Sequence, residues 1–150
     1  MQPTNNIGYL LNHLAFMLSR QSDQVLQEQL GIGFSQFKIM MALRWNPSVQ
    51  QKQIAERLGQ TEASISRQIK LLYDKGLLST RISAENKREH ITTLTTKGEQ
   101  LTEKSMQILN NFHAPTFNSL SPKQQQTLIE TLNTMHDAVC VDKKGGFNHP

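Results

Sequence analysis

The chain has 150 residues, 37% hydrophobic and 19% charged, with 16 Lys and Arg against 12 Asp and Glu. This suffices for one compact domain or one protomer of an oligomer; it excludes wholesale disorder and leaves little room for a two-domain enzyme. The longest uninterrupted apolar runs, Leu14 to Leu18 and Ile39 to Leu43, fall far short of the roughly 20 residues that a bilayer span needs, so no membrane partner is expected.

The opening residues MQPTNNIGYL place no basic stretch ahead of their apolar residues and carry no small-residue cleavage signature. A cytoplasmic location is therefore expected. The single cysteine, Cys140, excludes an intrachain disulfide and a Cys-rich zinc site. Charge placement says more than net charge. From Lys38 to Lys97 there are eleven Lys or Arg against five Asp or Glu, net +6, whereas the remainder carries five against seven, net −2. A basic centre between near-neutral ends suits a polyanion reader on a scaffold of another kind, although a merely solvated basic surface fits charge alone.

Between Ile7 and Leu30 the apolar residues Ile7, Leu10, Leu11, Leu14, Met17, Leu18, Val25, Leu26 and Leu30 recur at three- and four-residue steps. The spacing predicts one long helix, capped by Asn5 or Asn6 and ended by Gly31-Ile32-Gly33. Ser35 is expected to cap a second helix through Phe37, Met40, Met41 and Leu43, stopped before Pro47. The lone Gly-x-Gly follows no strand and lacks a third glycine, so it is a helix stop and not a nucleotide loop.

Ile54, Ala55 and Leu58 predict a short helix that Gly59 breaks, and Thr61 can cap a following helix in which Ile65, Ile69 and Leu72 share one face. This is a helix-turn-helix pattern, which plain helical bundles also contain. Opposite the apolar face stand Ala63, Arg67 and Lys70, with Glu62 and Ser66 along the edge. Small and polar residues let a backbone approach closely, while Arg67 and Lys70 can reach base edges or phosphates; the DNA major groove admits one such helix. Gly76 ends that helix. Leu77 to Ile82 alternates loosely as a strand, Ile91 to Thr95 is a second β-favouring stretch, and the polar tip SAENKREH between them holds Lys87 and Arg88. Two strands with a basic tip make a wing, and an arginine there can enter the minor groove.

After Gly98, Leu101, Ser105, Ile108, Leu109 and Phe112 mark a helix interrupted near Pro115. Ser121 with Pro122 then starts a last helix whose apolar face holds Leu128, Ile129, Leu132, Met135 and Val139. The terminal helices have too few local partners to bury themselves in one small protomer. A subunit interface is expected there.

The segment IAERLGQTEASISRQIKLLYDKGLL followed by NKREHITTLTTKG resembles the winged helix-turn-helix of MarR-type transcriptional regulators, and the layout of the whole chain is similar to theirs. The resemblance implies a mainly α fold with a small β wing. Residues 35–98 would form the winged helix-turn-helix DNA-binding region, 1–34 and 99–140 a helical dimerisation region, and 141–150 a mobile tail. It implies a homodimer that binds double-stranded DNA with an inverted-repeat operator, mostly as a repressor, and is released by a small aromatic or phenolic ligand, with no cofactor. Ala63, Ser64, Ser66 and Arg67 match recognition-helix positions of the family, and Arg88 matches its wing arginine. With Thr61, Glu62, Lys70 and Lys87 they make up the expected DNA-contacting set. The family usually has Asp two residues before the wing arginine; here it is Asn86, which accepts a hydrogen bond without charge and implies a less rigidly held wing.

His13, Phe16, Met17, Met40 and Met41 are candidates to line an effector pocket, but the methionines read most simply as core and His13 more readily as a partly buried interface histidine. None of the five histidines has another at i+3 or i+4, and no HExxH, CxxC or G-x-S-x-G occurs, so neither a metal site nor an enzyme is expected. His136 and Asp137 point about 100° apart on a helix and form no expected pair. Rival readings are an activator or a thiol-responsive regulator of the same fold, and a helical adaptor that does not read DNA.

Overall fold

A computed structural model describes residues 5–87 and 90–139. Arg88, Cys140 and the tail 141–150 lie outside the described residues, and with them the expectations of a wing arginine, a thiol response and a mobile tail. Among the described residues there are six helices and one two-stranded sheet: α1 (Ile7–Leu30), α2 (Phe34–Trp45), α3 (Gln51–Leu58), α4 (Glu62–Asp74), β1 (Leu78–Ile82), β2 (His90–Leu94), α5 (Thr96–Asn118) and α6 (Pro122–Val139). The architecture is a winged helix-turn-helix with long helices before and after it. The chain divides into two compact units, Met1–Leu109 and Asn110–Pro150.

In the first unit, α1 starts where Asn6 Oδ1 accepts the Tyr9 N–H at 2.8 Å, and it stops at Gly31, whose φ of 66° is open to glycine at no steric cost. Its last turns bury Ser22, Val25 and Leu26, whereas Ile7, Tyr9, Leu14 and Phe16 in its first half stay exposed. The second helix corrects the expected cap. α2 begins at Phe34, before Ser35, and Gly33 at its N-cap has no side chain to offer. Asp23 of α1 substitutes: its Oδ1 accepts the Phe34 N–H at 2.8 Å, and Gln36 Oε1 accepts the Gly33 N–H at 3.3 Å. Asp23→Ala is expected to lower stability by about 1 kcal/mol, the usual cost of a lost cap, read as a shifted urea midpoint at constant m. An unchanged midpoint would show that water serves that N–H equally well.

α2 is the centre of the core. It buries Phe37, Ile39, Met40, Met41 and Leu43, and α1, α3 and α4, which pack on it, bury Leu26, Ile54, and Ile65 and Leu72 respectively. β1 and β2 pair antiparallel with Leu78 opposite Leu94 and Ile82 opposite His90; β1 starts one residue later than expected and ends at Ile82 as expected, and β2 runs one residue earlier at both ends. The first half of α5 closes the unit. Gly98, Thr102, Ser105 and Leu109 are buried, and the two hydroxyls are satisfied by the helix itself, Thr102 donating to Gly98 O and Ser105 to Leu101 O, each at 2.7 Å. Arg44 at the end of α2 reaches Glu103 at 2.9 Å and Glu99 at 3.4 Å. This half-exposed pair contributes at most about 1 kcal/mol. Residues 99–109 and the end of α1 therefore pack within one unit, and only the rest of the expected dimerisation region is left with open apolar faces.

Contrary to the expected interruption, α5 continues through Pro115 to Asn118. A proline one turn from a helix end forfeits a single N–H bond, which the last residues tolerate without a break. In the second unit, α6 opens with a reciprocal capping box: Ser121 Oγ accepts the Gln124 N–H at 3.2 Å and Gln124 Oε1 accepts the Ser121 N–H at 2.9 Å. α6 buries none of its residues. Phe112, Phe117, Leu128, Ile129, Leu132, Met135 and Val139 are all exposed. His136 Nδ1 and Asp137 Oδ1, both exposed, meet at 3.6 Å despite their helical separation. No helix of the described residues is long and apolar enough to cross a membrane.

Candidate nucleic-acid interface

The site begins with a sharp turn. α3 ends at Gly59, whose φ of 61° admits glycine readily, and Thr61 Oγ1 accepts the Ser64 N–H at 3.1 Å to start α4. Ile65 and Leu72 are completely buried, which fixes which side of α4 faces inward. Thr61, Glu62, Ala63, Ser66, Arg67 and Lys70 consequently face out and are exposed. Glu62 lies in the first turn, where a carboxylate complements the helix dipole.

Among the described residues Arg67 and Lys70 make no ion pair or hydrogen bond. An exposed, uncommitted cation can exchange its water for phosphate or a base edge without breaking a protein contact. Ser64 stands apart from this set. It is half-buried, and its Oγ donates to Gln60 Oε1 at 3.2 Å, so its hydroxyl is turned toward the body of the unit.

The wing starts from Ser83. This residue is buried, and its Oγ accepts the N–H groups of both Glu85 and Asn86 at 3.3 Å, an ST-type turn that bends the chain into the tip. Lys87 is exposed at that tip. On the strands, Ser79 and Thr93 are hydrogen-bonded across the pair at 3.2 Å. Arg81 of β1 is also exposed and was not among the expected contacts. Its only sequence signal is that it adds to the basic centre.

A cavity of about 460 Å³ lies between α4 and the wing, walled by Leu43, Val49, Ile54, Ile69 and Ile91, with Glu85 among its polar lining residues. None of the five expected effector residues lines it. Met40 and Met41 are buried core, Met17 is half-buried, and His13 and Phe16 are exposed on α1, where the His13 ring stacks on Tyr9 with centroids 5.6 Å apart. Among the described residues no cluster of His, Cys, Asp and Glu is arranged to hold a metal ion.

The MarR family model matches residues 34–90, from the start of α2 to the start of β2. Over that stretch the winged helix-turn-helix of this chain is similar to that of the MarR family. The chain is 25% identical over 124 residues to the HTH-type transcriptional regulator BilQ of Clostridium symbiosum, covering 80% of this chain and 85% of BilQ. The same fold occurs in CouR of Rhodococcus jostii, solved bound to p-coumaroyl-CoA, at 15% identity and a TM-score of 0.80, covering 97% and 99% of the two chains. It also occurs in MepR of Staphylococcus aureus, solved in complex with DNA, at 23% identity and a TM-score of 0.71, covering 89% and 96%.

Proposed function

We propose that this chain is a MarR-type transcriptional regulator, a homodimeric repressor that reads an inverted-repeat operator and leaves it when a small phenolic ligand binds. One observation carries the DNA-reading part: α4 presents the uncommitted cations Arg67 and Lys70 beside the short side chains of Ala63 and Ser66. In this reading Thr61, Glu62, Ala63, Ser66, Arg67 and Lys70 meet the major groove, Lys87 and Arg88 the flanking minor groove, and Ser64 supports the helix from behind. Residues 35–98 form the reading head, and the open apolar faces of α1, α5 and α6 supply the subunit interface. Two-fold symmetry then sets half-sites about one helical turn, ~10 bp, apart.

The ligand class follows from the cavity beside Ile69. Its apolar walls suit an aromatic ring, and Glu85 at its edge accepts a phenolic hydroxyl but repels a carboxylate. A ligand reaching Met40 and Met41 has to open the core, whereas this cavity needs no such opening. Filling it bears on α4 and the wing together, and release requires that the ligand prefer the arrangement that does not fit DNA.

The test is a titration against random and inverted-repeat duplexes at two salt concentrations. A DNA reader shows a preferred inverted repeat and an affinity that falls steeply with salt; an adaptor shows neither. In the same assay Arg88→Ala is expected to reduce the salt slope by about one unit, the signature of one lost phosphate contact. An identical slope removes the wing arginine from the interface.

A further inference from the structure

We infer that Gln36 and Gln60 are positioning residues that set the angle at which α4 meets DNA. The inference rests on the reading of α4 as the DNA-contacting helix. Only Ile65 and Leu72 of α4 are deeply buried. Hydrophobic burial is non-directional: it fixes which side of the helix faces inward, and leaves roll and tilt loosely defined. Directional bonds supply the rest, and the first turn of α2 provides two of them.

Gln36 Nε2 donates to Gln68 Oε1 of α4 at 3.1 Å. One turn earlier on α4, Ser64 Oγ donates to Gln60 Oε1 at 3.2 Å, and Gln60 Nε2 donates to Ser35 Oγ at 2.7 Å. Ser64 and Gln68 are four residues apart and share one side of the helix, so the two bridges hold it at successive turns. All five side chains are half-buried, which shields the bonds from competing water. The platform is itself anchored, since Asp23 of α1 accepts the Phe34 N–H and Gln36 accepts the Gly33 N–H. At the far end Lys75 Nζ donates to Gly31 O, the C-cap of α1, at 3.2 Å. α4 is thereby referenced to α1 and α2 along its length, and a shift of that platform is passed to Arg67 and Lys70.

The experiment compares dissociation constants on the inverted-repeat duplex that the wild-type protein selects and on a random duplex at one salt concentration. Gln68→Met keeps the bulk and deletes that bond alone, whereas Gln36→Met also removes the acceptor of the Gly33 N–H. Each is expected to reduce the ratio of selected to random affinity about five- to tenfold, with random-duplex affinity and salt slope essentially unchanged; the thermal midpoint should hold in Gln68→Met and fall slightly in Gln36→Met. The double variant should lose no more than either single one, because both delete the same bond. Gln36→Glu should restore the ratio, since Gln68 can turn its amide over and donate to the new carboxylate. Ser35→Ala removes one hydroxyl and little packing; it reads the second bridge separately and should reduce the ratio about as much. A wild-type ratio in the folded variants, or additive losses in the double variant, overturns the inference. A wild-type protein with no preferred duplex overturns instead the DNA reading on which it rests.

Discussion

Gly98→Ala is expected to destabilise the first unit by about 3 kcal/mol or more, at the upper end of what overpacking costs. Gly98 is buried in the first turn of α5, and a Cβ there runs into the carbonyl oxygen of Leu77, with the carbonyl carbon at 3.1 Å and Leu94 Cδ2 at 3.2 Å. The obstacle is backbone and cannot swing aside. Leu77 O accepts the Thr95 N–H at 3.0 Å, while Thr95 Oγ1 donates to Gly76 O at 2.7 Å and accepts the Gly98 N–H at 3.1 Å. Relief therefore means parting the start of α5 from the base of the wing, where Leu78 faces Leu94. For a chain of this size the expected loss is roughly 6–12 °C in thermal midpoint. A midpoint within about 2 °C of wild type would mean that α5 slides on the wing at little cost.

Arg67→Ala is expected to cost roughly 1–3 kcal/mol on the selected duplex, a loss of about 5- to 150-fold, and nothing measurable in stability. The two halves of this expectation have the same cause. Arg67 is exposed and its side chain makes no ion pair or hydrogen bond to another described residue, so the fold loses no polar contact when its guanidinium is removed. Competition binding on duplexes altered one base pair at a time tells a base contact from a phosphate contact. Relaxed preference at one position of each half-site identifies a base contact, and Arg67→Lys should then fail to rescue, since an ammonium lacks the planar fork. Equal loss on every duplex would reduce Arg67 to a phosphate anchor. A fall in thermal midpoint would contradict the claim that the side chain is uncommitted.

The parts of the fold that were legible in the sequence are those whose physical cause is local. Asn6, Thr61 and Ser121 were readable as caps because each bonds an N–H only three residues on. The inward face of α4 was readable because Ile65, Ile69 and Leu72 recur at helical spacing. Ser35 misled because the cap of α2 comes from Asp23, eleven residues away on another helix. Pro115 misled because a proline one turn from a helix end does not have to break it. Ser64 sits between Ala63 and Arg67 in sequence, yet its hydroxyl is committed to Gln60. The Gln36 to Gln68 bond spans 32 residues and leaves no periodic trace. Methionines carry no directional signal, so Met40 and Met41 suited a pocket as well as a core until packing placed them.

The most direct test of the account is a hydroxyl-radical footprint of the full chain on the duplex it selects. Paired α4 helices predict two protected segments centred about one helical turn, ~10 bp, apart and related by the two-fold axis of the site. A single unpaired protected segment, or no protection at concentrations that saturate binding, would contradict it.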